Sequence, residues 1–144
     1  MSYKINVRVY QTKPSAYYNL VEKGVWHFAN GGTWTVCEEQ HLLKMGGSGT
    51  SGTLRFASVA CDAYFTVALG VHNYKPWVDI AVDQPSTDTC VHVHPQWYEE
   101  GTDKAKVRWE QQTKMDKMNK AGVCITAEVV KSADKEYWVN IIIG

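Results

Sequence analysis

The sequence predicts a mainly β protein, an antiparallel sandwich or barrel, and three observations carry that expectation. Short apolar runs recur at intervals of about ten residues with glycine- and asparagine-rich turn signals between them. Six Trp, eight Tyr and three Phe make 12% of the chain aromatic, a population that favours strands. Only one long stretch, Asp103 to Asn119, is rich in helix formers.

Residues 3–10 alternate, with Tyr3, Ile5, Val7 and Val9 on one face and Lys4, Asn6 and Arg8 on the other, the period of a half-buried strand. Gly24 to Ala29, Thr33 to Cys37, His41 to Met45 and Thr53 to Ala57 read as short strands divided by Asn30-Gly31-Gly32 and by a glycine-rich loop. Tyr64 to Val71 and Val78 to Val82 continue the antiparallel series across a turn at Asn73-Tyr74-Lys75-Pro76. Residues 83–98 are broken by Gln84-Pro85-Ser86 and His94-Pro95-Gln96, and one modest helix is expected over Asp103 to Asn119. Val123 to Val130 and Tyr137 to Ile143 close the chain as two strands, the last of them well buried.

With 144 residues the chain fits one domain, 1–144, and a domain of this size buries roughly two-thirds of its unfolded surface. Fifteen basic against fifteen acidic residues give zero formal net charge, which lacks the footprint of a general nucleic-acid binder and leaves self-association unopposed. Cys37, Cys61, Cys90 and Cys124 are widely spaced, without a zinc pattern, and are expected to remain thiols in a reducing compartment. The N-terminus has no uninterrupted apolar region of the secretory type, and no run reaches the roughly 18 apolar residues of a membrane span. A cytoplasmic protein is expected.

Enzyme chemistry finds little support. The chain has no GxSxG elbow, no phosphate loop with its lysine, and no dinucleotide fingerprint. His92-Val93-His94 could share an ion if it lay on a strand, but no acidic third ligand follows, and a surface strand or turn is the simpler reading. We expect no cofactor and no metal. Glu38-Glu39 and Cys61-Asp62 read as exposed turn or strand residues.

Two segments suggest binding. Met45-Gly46-Gly47-Ser48-Gly49-Thr50-Ser51-Gly52 puts bare backbone and small hydroxyls between two strands, either a flexible hairpin connection or a loop that lets a ligand approach the main chain. Gly70 to Lys75 sets His72 and Asn73 side by side where a strand ends; a carboxamide matches the paired hydroxyls of a sugar, or it merely holds the turn.

Together, His27 to Trp34, Met45 to Gly52 with Leu54-Arg55-Phe56, and Gly70 to Lys75 with Trp77 and Asp79 resemble the fungal fruit-body lectin family. Val7 to Thr12 and Asn140 to Gly144 fit the same pattern; the resemblance is dense from 3 to about 80 and thin from about 83 to 138. It implies an antiparallel β-sandwich of actinoporin-like type with a helical connection, assembled as a homotetramer and without enzymatic activity. It also implies binding of galactosyl-β1,3-N-acetylgalactosamine, the T-antigen of O-glycans, and of N-acetylgalactosamine glycans, in a cytoplasmic defence protein. Carried over, the primary sugar site falls on Ala29, Ser48, Gly49, His72 and Asn73, with the Ser48 hydroxyl, the Gly49 N–H and the Asn73 carboxamide as the donors. A second site, for terminal N-acetylglucosamine, falls on Asp79, Ile80, Val82 and Lys114. There the family's hydroxyl residue is replaced by Val82, while Asp103, Lys104 and Lys114, with Arg108 nearby, stand where it has an arginine and a tyrosine, so this binding is expected to be weakened, altered or absent. Because pore-forming toxins share the fold, a membrane-active cytolysin is the alternative. Such toxins need a detachable amphipathic N-terminal helix, whereas this chain begins as a strand, so no membrane insertion is expected.

Overall fold

The computed structural model describes residues 2–144. The alternation of the first strand, β1 (Tyr3–Gln11), sends Tyr3, Ile5 and Val7 into the core and leaves Lys4 and Arg8 exposed. Around it a six-stranded sheet is built in the order β3-β4-β1-β10-β9-β8, from β3 (Gly32–Cys37), β4 (Gln40–Met45), β8 (Lys114–Met118), β9 (Cys124–Ala133) and β10 (Glu136–Ile143). Its pairs are antiparallel except β1 with β10, whose register runs from Lys4 opposite Glu136 to Gln11 opposite Ile143. A second sheet, in the order β2-β5-β6-β7, comprises β2 (Tyr18–Val25), β5 (Ser51–Ser58), β6 (Tyr64–His72) and β7 (Lys75–Gln84), all antiparallel.

The sheets face one another across a single cluster in which Ile5, Leu43, Val139 and Ile141 belong to the first sheet and Leu54, Phe56, Phe65 and Val67 to the second. The stacked Phe56 and Phe65 rings, with centroids 4.8 Å apart, fill its middle. Each such side chain contributes roughly 1.5–3 kcal/mol by leaving water. The expected β-sandwich and buried last strand are both present: β10 alternates half-buried and buried residues along its whole length.

The four-stranded sheet is covered on its other face as well. There Ala68, Trp77 and Ala81 pack against Val93 and Trp97, from a connection that links β7 to β8. This connection holds a short helix α1 (Cys90–Val93), a 3-10 turn (His94–Tyr98) and a second helix α2 (Asp103–Trp109). Cover on both faces is why β5 and β6 are buried along nearly their whole length instead of alternating between buried and exposed.

Three expectations need correction. The strand placed at Gly24 to Ala29 lies earlier, as β2, because a bulge between Leu20 and Glu22 shifts the register and breaks the period-two signal, leaving Val21 exposed. Past Val25 the chain leaves the sheet, and Ala29, Asn30 and Gly31 take left-handed φ values of 52°, 68° and 65°. The helix expected over Asp103 to Asn119 ends at Trp109: Gln111 is left-handed at φ 53°, and Lys114–Met118 pairs with Cys124–Glu128 as β8. A ready-made partner strand here outweighs helix propensity. The turn after β6 is tighter than expected, with only Asn73 and Tyr74 at its tip, both with positive φ (47° and 68°), the geometry of a two-residue hairpin.

Glu38 and Glu39 do sit in an exposed left-handed turn, and all four cysteines are free thiols. Among the described residues no helix is long and apolar enough to cross a membrane.

Candidate functional site

The glycine loop between β4 and β5 and the hairpin tip between β6 and β7 come together at one end of the sandwich. Gly49 N–H donates to Val71 C=O at 2.8 Å, Val71 N–H to Thr50 C=O at 3.2 Å, and Tyr74 N–H to Ser48 Oγ at 3.0 Å. Two glycines make this possible. Gly49 has φ +109° with open space where a Cβ would stand, whereas a Cβ on Gly46 would come within 2.6 Å of the Ala29 carbonyl oxygen. The hairpin is anchored from beyond the sheet by Tyr137, whose hydroxyl donates to Tyr74 C=O at 3.3 Å.

Between these segments and α2 lies a cleft of about 410 Å³, lined by Ser48, Gly49, His72 and Asn73 together with Phe28, Tyr74, Tyr98, Glu100, Arg108 and Trp109. Four of the five primary residues expected from the sequence therefore share one cavity. The fifth, Ala29, lies in the neighbouring left-handed turn, against Gly46. One expected donor is already engaged: the Gly49 N–H belongs to Val71, so Gly49 serves by leaving room. Ser48 Oγ accepts from Tyr74 and keeps its own proton to donate, and among the described residues the Asn73 carboxamide has no intramolecular partner. Three rings at the rim are well exposed, Phe28 by 50%, Tyr74 by 74% and Trp109 by 56%.

His72 is held rather than free. Arg108 Nη1 donates to its Nδ1 at 3.0 Å, Gln111 Nε2 donates to its carbonyl at 2.7 Å, and the Trp109 ring meets its imidazole edge to face at 4.5 Å. Because a guanidinium only donates, Nδ1 is an acceptor and the ring proton sits on Nε2, which is buried without a partner. Burial, then the Arg108 charge, keeps this imidazole below its ordinary pKa, so it is neutral at neutral pH.

Arg108 is fixed in turn: its Nε donates to Trp97 C=O at 2.8 Å, and its guanidinium lies 4.5 Å from the Tyr98 ring centroid. Tyr98 stacks on Trp26 at 4.3 Å, and its hydroxyl lies 2.7 Å from Ser51 Oγ, itself 2.8 Å from His94 Nε2. Burial drives the Tyr98 phenol up to about 12 and the His94 imidazole down to about 4, so both are uncharged links in the wall beneath the glycine loop.

A second cleft, of about 430 Å³, opens on the other side of α2 and is lined by Asp79, Ile80, Val82, Asp103, Lys104 and Lys117, among others. Asp79, Ile80 and Val82, expected as a group, are together. Lys114 is not with them, since it lies exposed on β8 opposite Glu128, and Lys117 is the lysine that lines the cleft. Asp79 is buried; its Oδ2 accepts from Trp97 Nε1 at 2.8 Å and its Oδ1 from Ile80 N–H at 2.7 Å. Burial raises its pKa, against those two hydrogen bonds and the charges of Lys117 and Lys104.

The two histidines at 92 and 94 lie on the helical connection, not on a strand. His92 is exposed, with Nδ1 3.1 Å from Thr87 C=O, and His94 points into the Ser51–Tyr98 network, so the alternation that would have paired them is absent. Arg108, grouped by the sequence with the second cleft, belongs to the first. Trp109, Tyr98 and Glu100 carried no sequence signal, because their segment lacks both period and motif.

The fold and this cleft define a β-sandwich that offers neutral hydroxyl and amide donors framed by aromatic rims, chemistry suited to a polyhydroxylated ligand. The family model for fungal fruit body lectins matches residues 1–141, and the chain belongs to that family of carbohydrate-binding lectins. It is 47% identical over 102 residues to Boletus edulis lectin, covering 70% of this chain and 71% of that one. Two solved structures of Xerocomus chrysenteron lectin XCL superpose with a TM-score of 0.94: the wild type at 40% identity over all of both chains, and a variant with three substitutions to methionine at 41% identity over 100% of this chain and 99% of that one.

Proposed function

We propose that the cleft at Ser48, Gly49 and Asn73 binds galactosyl-β1,3-N-acetylgalactosamine and N-acetylgalactosamine-bearing O-glycans, and that the protein acts in defence by recognising such glycans on foreign cells. The observation that carries the reading is that the unpartnered Asn73 carboxamide and the Ser48 hydroxyl line one open cleft. A carboxamide donates and accepts at once, as vicinal hydroxyl and acetamide groups require, and Gly49 leaves space for the ring. The chemistry at this cleft is recognition without turnover, and assembly as a homotetramer raises weak single-site affinity through multivalency. At the second cleft, Val82 brings no hydroxyl and Asp103 and Lys104 line the wall, so terminal N-acetylglucosamine binds weakly or not at all.

The membrane-active alternative is disfavoured by one observation: β1 is paired with β4 over Tyr3 to Val7 on one side and with β10 over Lys4 to Gln11 on the other, so freeing it would dismantle the middle of a sheet. The test is a mammalian glycan array on wild type beside Asn73→Ala. Binding to galactosyl-β1,3-N-acetylgalactosamine that the substitution abolishes supports the reading; binding to unrelated sugars that survives it refutes the assignment.

A further inference from the structure

We infer that Arg108 and Trp109 form an additional subsite on the helical side of the cleft, which takes an anionic substituent on the glycan, either the carboxylate of an acidic sugar or a sulfate ester. This rests on the proposed glycan reading of the cleft. Ser48 and Asn73 are neutral and give no preference for charge. Arg108 is different: Trp97 C=O holds Nε and His72 Nδ1 holds one N–H of Nη1, which leaves the second Nη1 hydrogen and both on Nη2 without an acceptor among the described residues. Nη2 is not buried, and the two ion pairs among the described residues involve neither this side chain nor any other that lines the cleft.

The result is a cation of fixed orientation, lying over the Tyr98 ring, with three N–H hydrogens still unclaimed for a carboxylate or sulfate. Trp109, 56% exposed and braced edge to face on His72, adds an apolar wall beside it. His72 cannot play this part, since it is only 8% exposed, its Nδ1 is occupied and its Nε2 is covered. Glu100 is the other charged group lining the cleft; it is exposed and makes no ion pair with Arg108.

The test is calorimetric titration of wild type with three ligands, galactosyl-β1,3-N-acetylgalactosamine, its α2,3-sialylated form and its galactose 3-O-sulfate, at low and high salt and again with Arg108→Gln. The readout is the ratio of anionic to neutral affinity, because loss of support for His72 weakens all three ligands together and leaves the ratio alone. In wild type at least one anionic form should bind about five- to tenfold tighter than the neutral one, the size of one charge-assisted contact. That preference should shrink with salt and vanish in Arg108→Gln, and which anion gains more identifies its source. Equal or weaker binding of both anionic forms overturns the subsite while leaving the glycan reading intact, and so does a preference that survives Arg108→Gln. Binding of anionic forms alone upholds the subsite and corrects the disaccharide, and no binding by any of the three overturns both.

Discussion

Acidification should cost this protein stability through His94 in particular. The ring is 3% exposed, touches Ser51 Oγ with Nε2, lies 5.3 Å from the Trp26 ring and makes no ion pair with a carboxylate, so desolvation alone sets its proton affinity. The native pKa of about 4 lies below the ordinary 6.5 of the unfolded chain. Between those values the unfolded state holds a proton that the native state lacks, and stability therefore rises with pH. The contribution is complete above pH 6.5 and is lost as pH falls towards 4. The gap is worth about 3 kcal/mol in total, at no more than about 1.4 kcal/mol per pH unit. Urea unfolding at several pH values from 7 to 4, followed by tryptophan fluorescence, should show wild type losing about 3 kcal/mol more than His94→Gln, which keeps a polar group near Ser51 but has no titrating ring. His41 and His72, also held below their ordinary values by burial, remain in both proteins and cancel in the difference. Parallel stability profiles for the two proteins would refute the argument, because they would mean that His94 is solvated well enough to charge in the native state.

Gly46→Ala should destabilise by about 1–3 kcal/mol and weaken glycan affinity, since its new Cβ meets the Ala29 carbonyl oxygen at 2.6 Å and Asn30 Cβ at 2.7 Å; thermal melts and a sugar titration check both. Asn119→Ala should cost about 2–4 kcal/mol in urea unfolding with glycan affinity unchanged, because it removes partners 2.9 Å from the Tyr18 hydroxyl and 2.9 Å from Val123 N–H, neither of which lines the sugar cleft.

The sequence was most readable where one physical rule acted alone. β1 alternates because one of its faces is core, and the tip at Asn73-Tyr74 is marked by a residue type that tolerates positive φ. It was least readable where rules competed. β2 hides behind its bulge, and β8 is spelled with lysines, methionines and an aspartate that a helix would accept equally well; its strand state comes from β9 alongside. The same division runs through the cleft. Ser48, Gly49, His72 and Asn73 stand in motif-bearing turns, whereas Arg108 and Trp109 reach them only because α2 folds back, with Arg108 Nε on Trp97 C=O.

That folding back makes α2 a shared wall. Asp103, Lys104 and Val107 face the second cleft and Arg108 and Trp109 the first, across a helix of seven residues capped by Thr102 Oγ1 on Ala105 N–H. Trp97 joins the two sides: its indole N–H is bound to Asp79 in one cleft, and its carbonyl holds Arg108 in the other. The sandwich underneath, buried on both faces of its four-stranded sheet, can stay constant while this connection changes. A substitution at Asp79 should therefore be felt by Arg108 through Trp97, although the two side chains line different cavities. The path is two hydrogen bonds of 2.8 Å on one fully buried residue, Asp79 on the Trp97 indole N–H and Arg108 on the Trp97 backbone carbonyl, short and rigid enough for a change in one cleft to shift the guanidinium of the other.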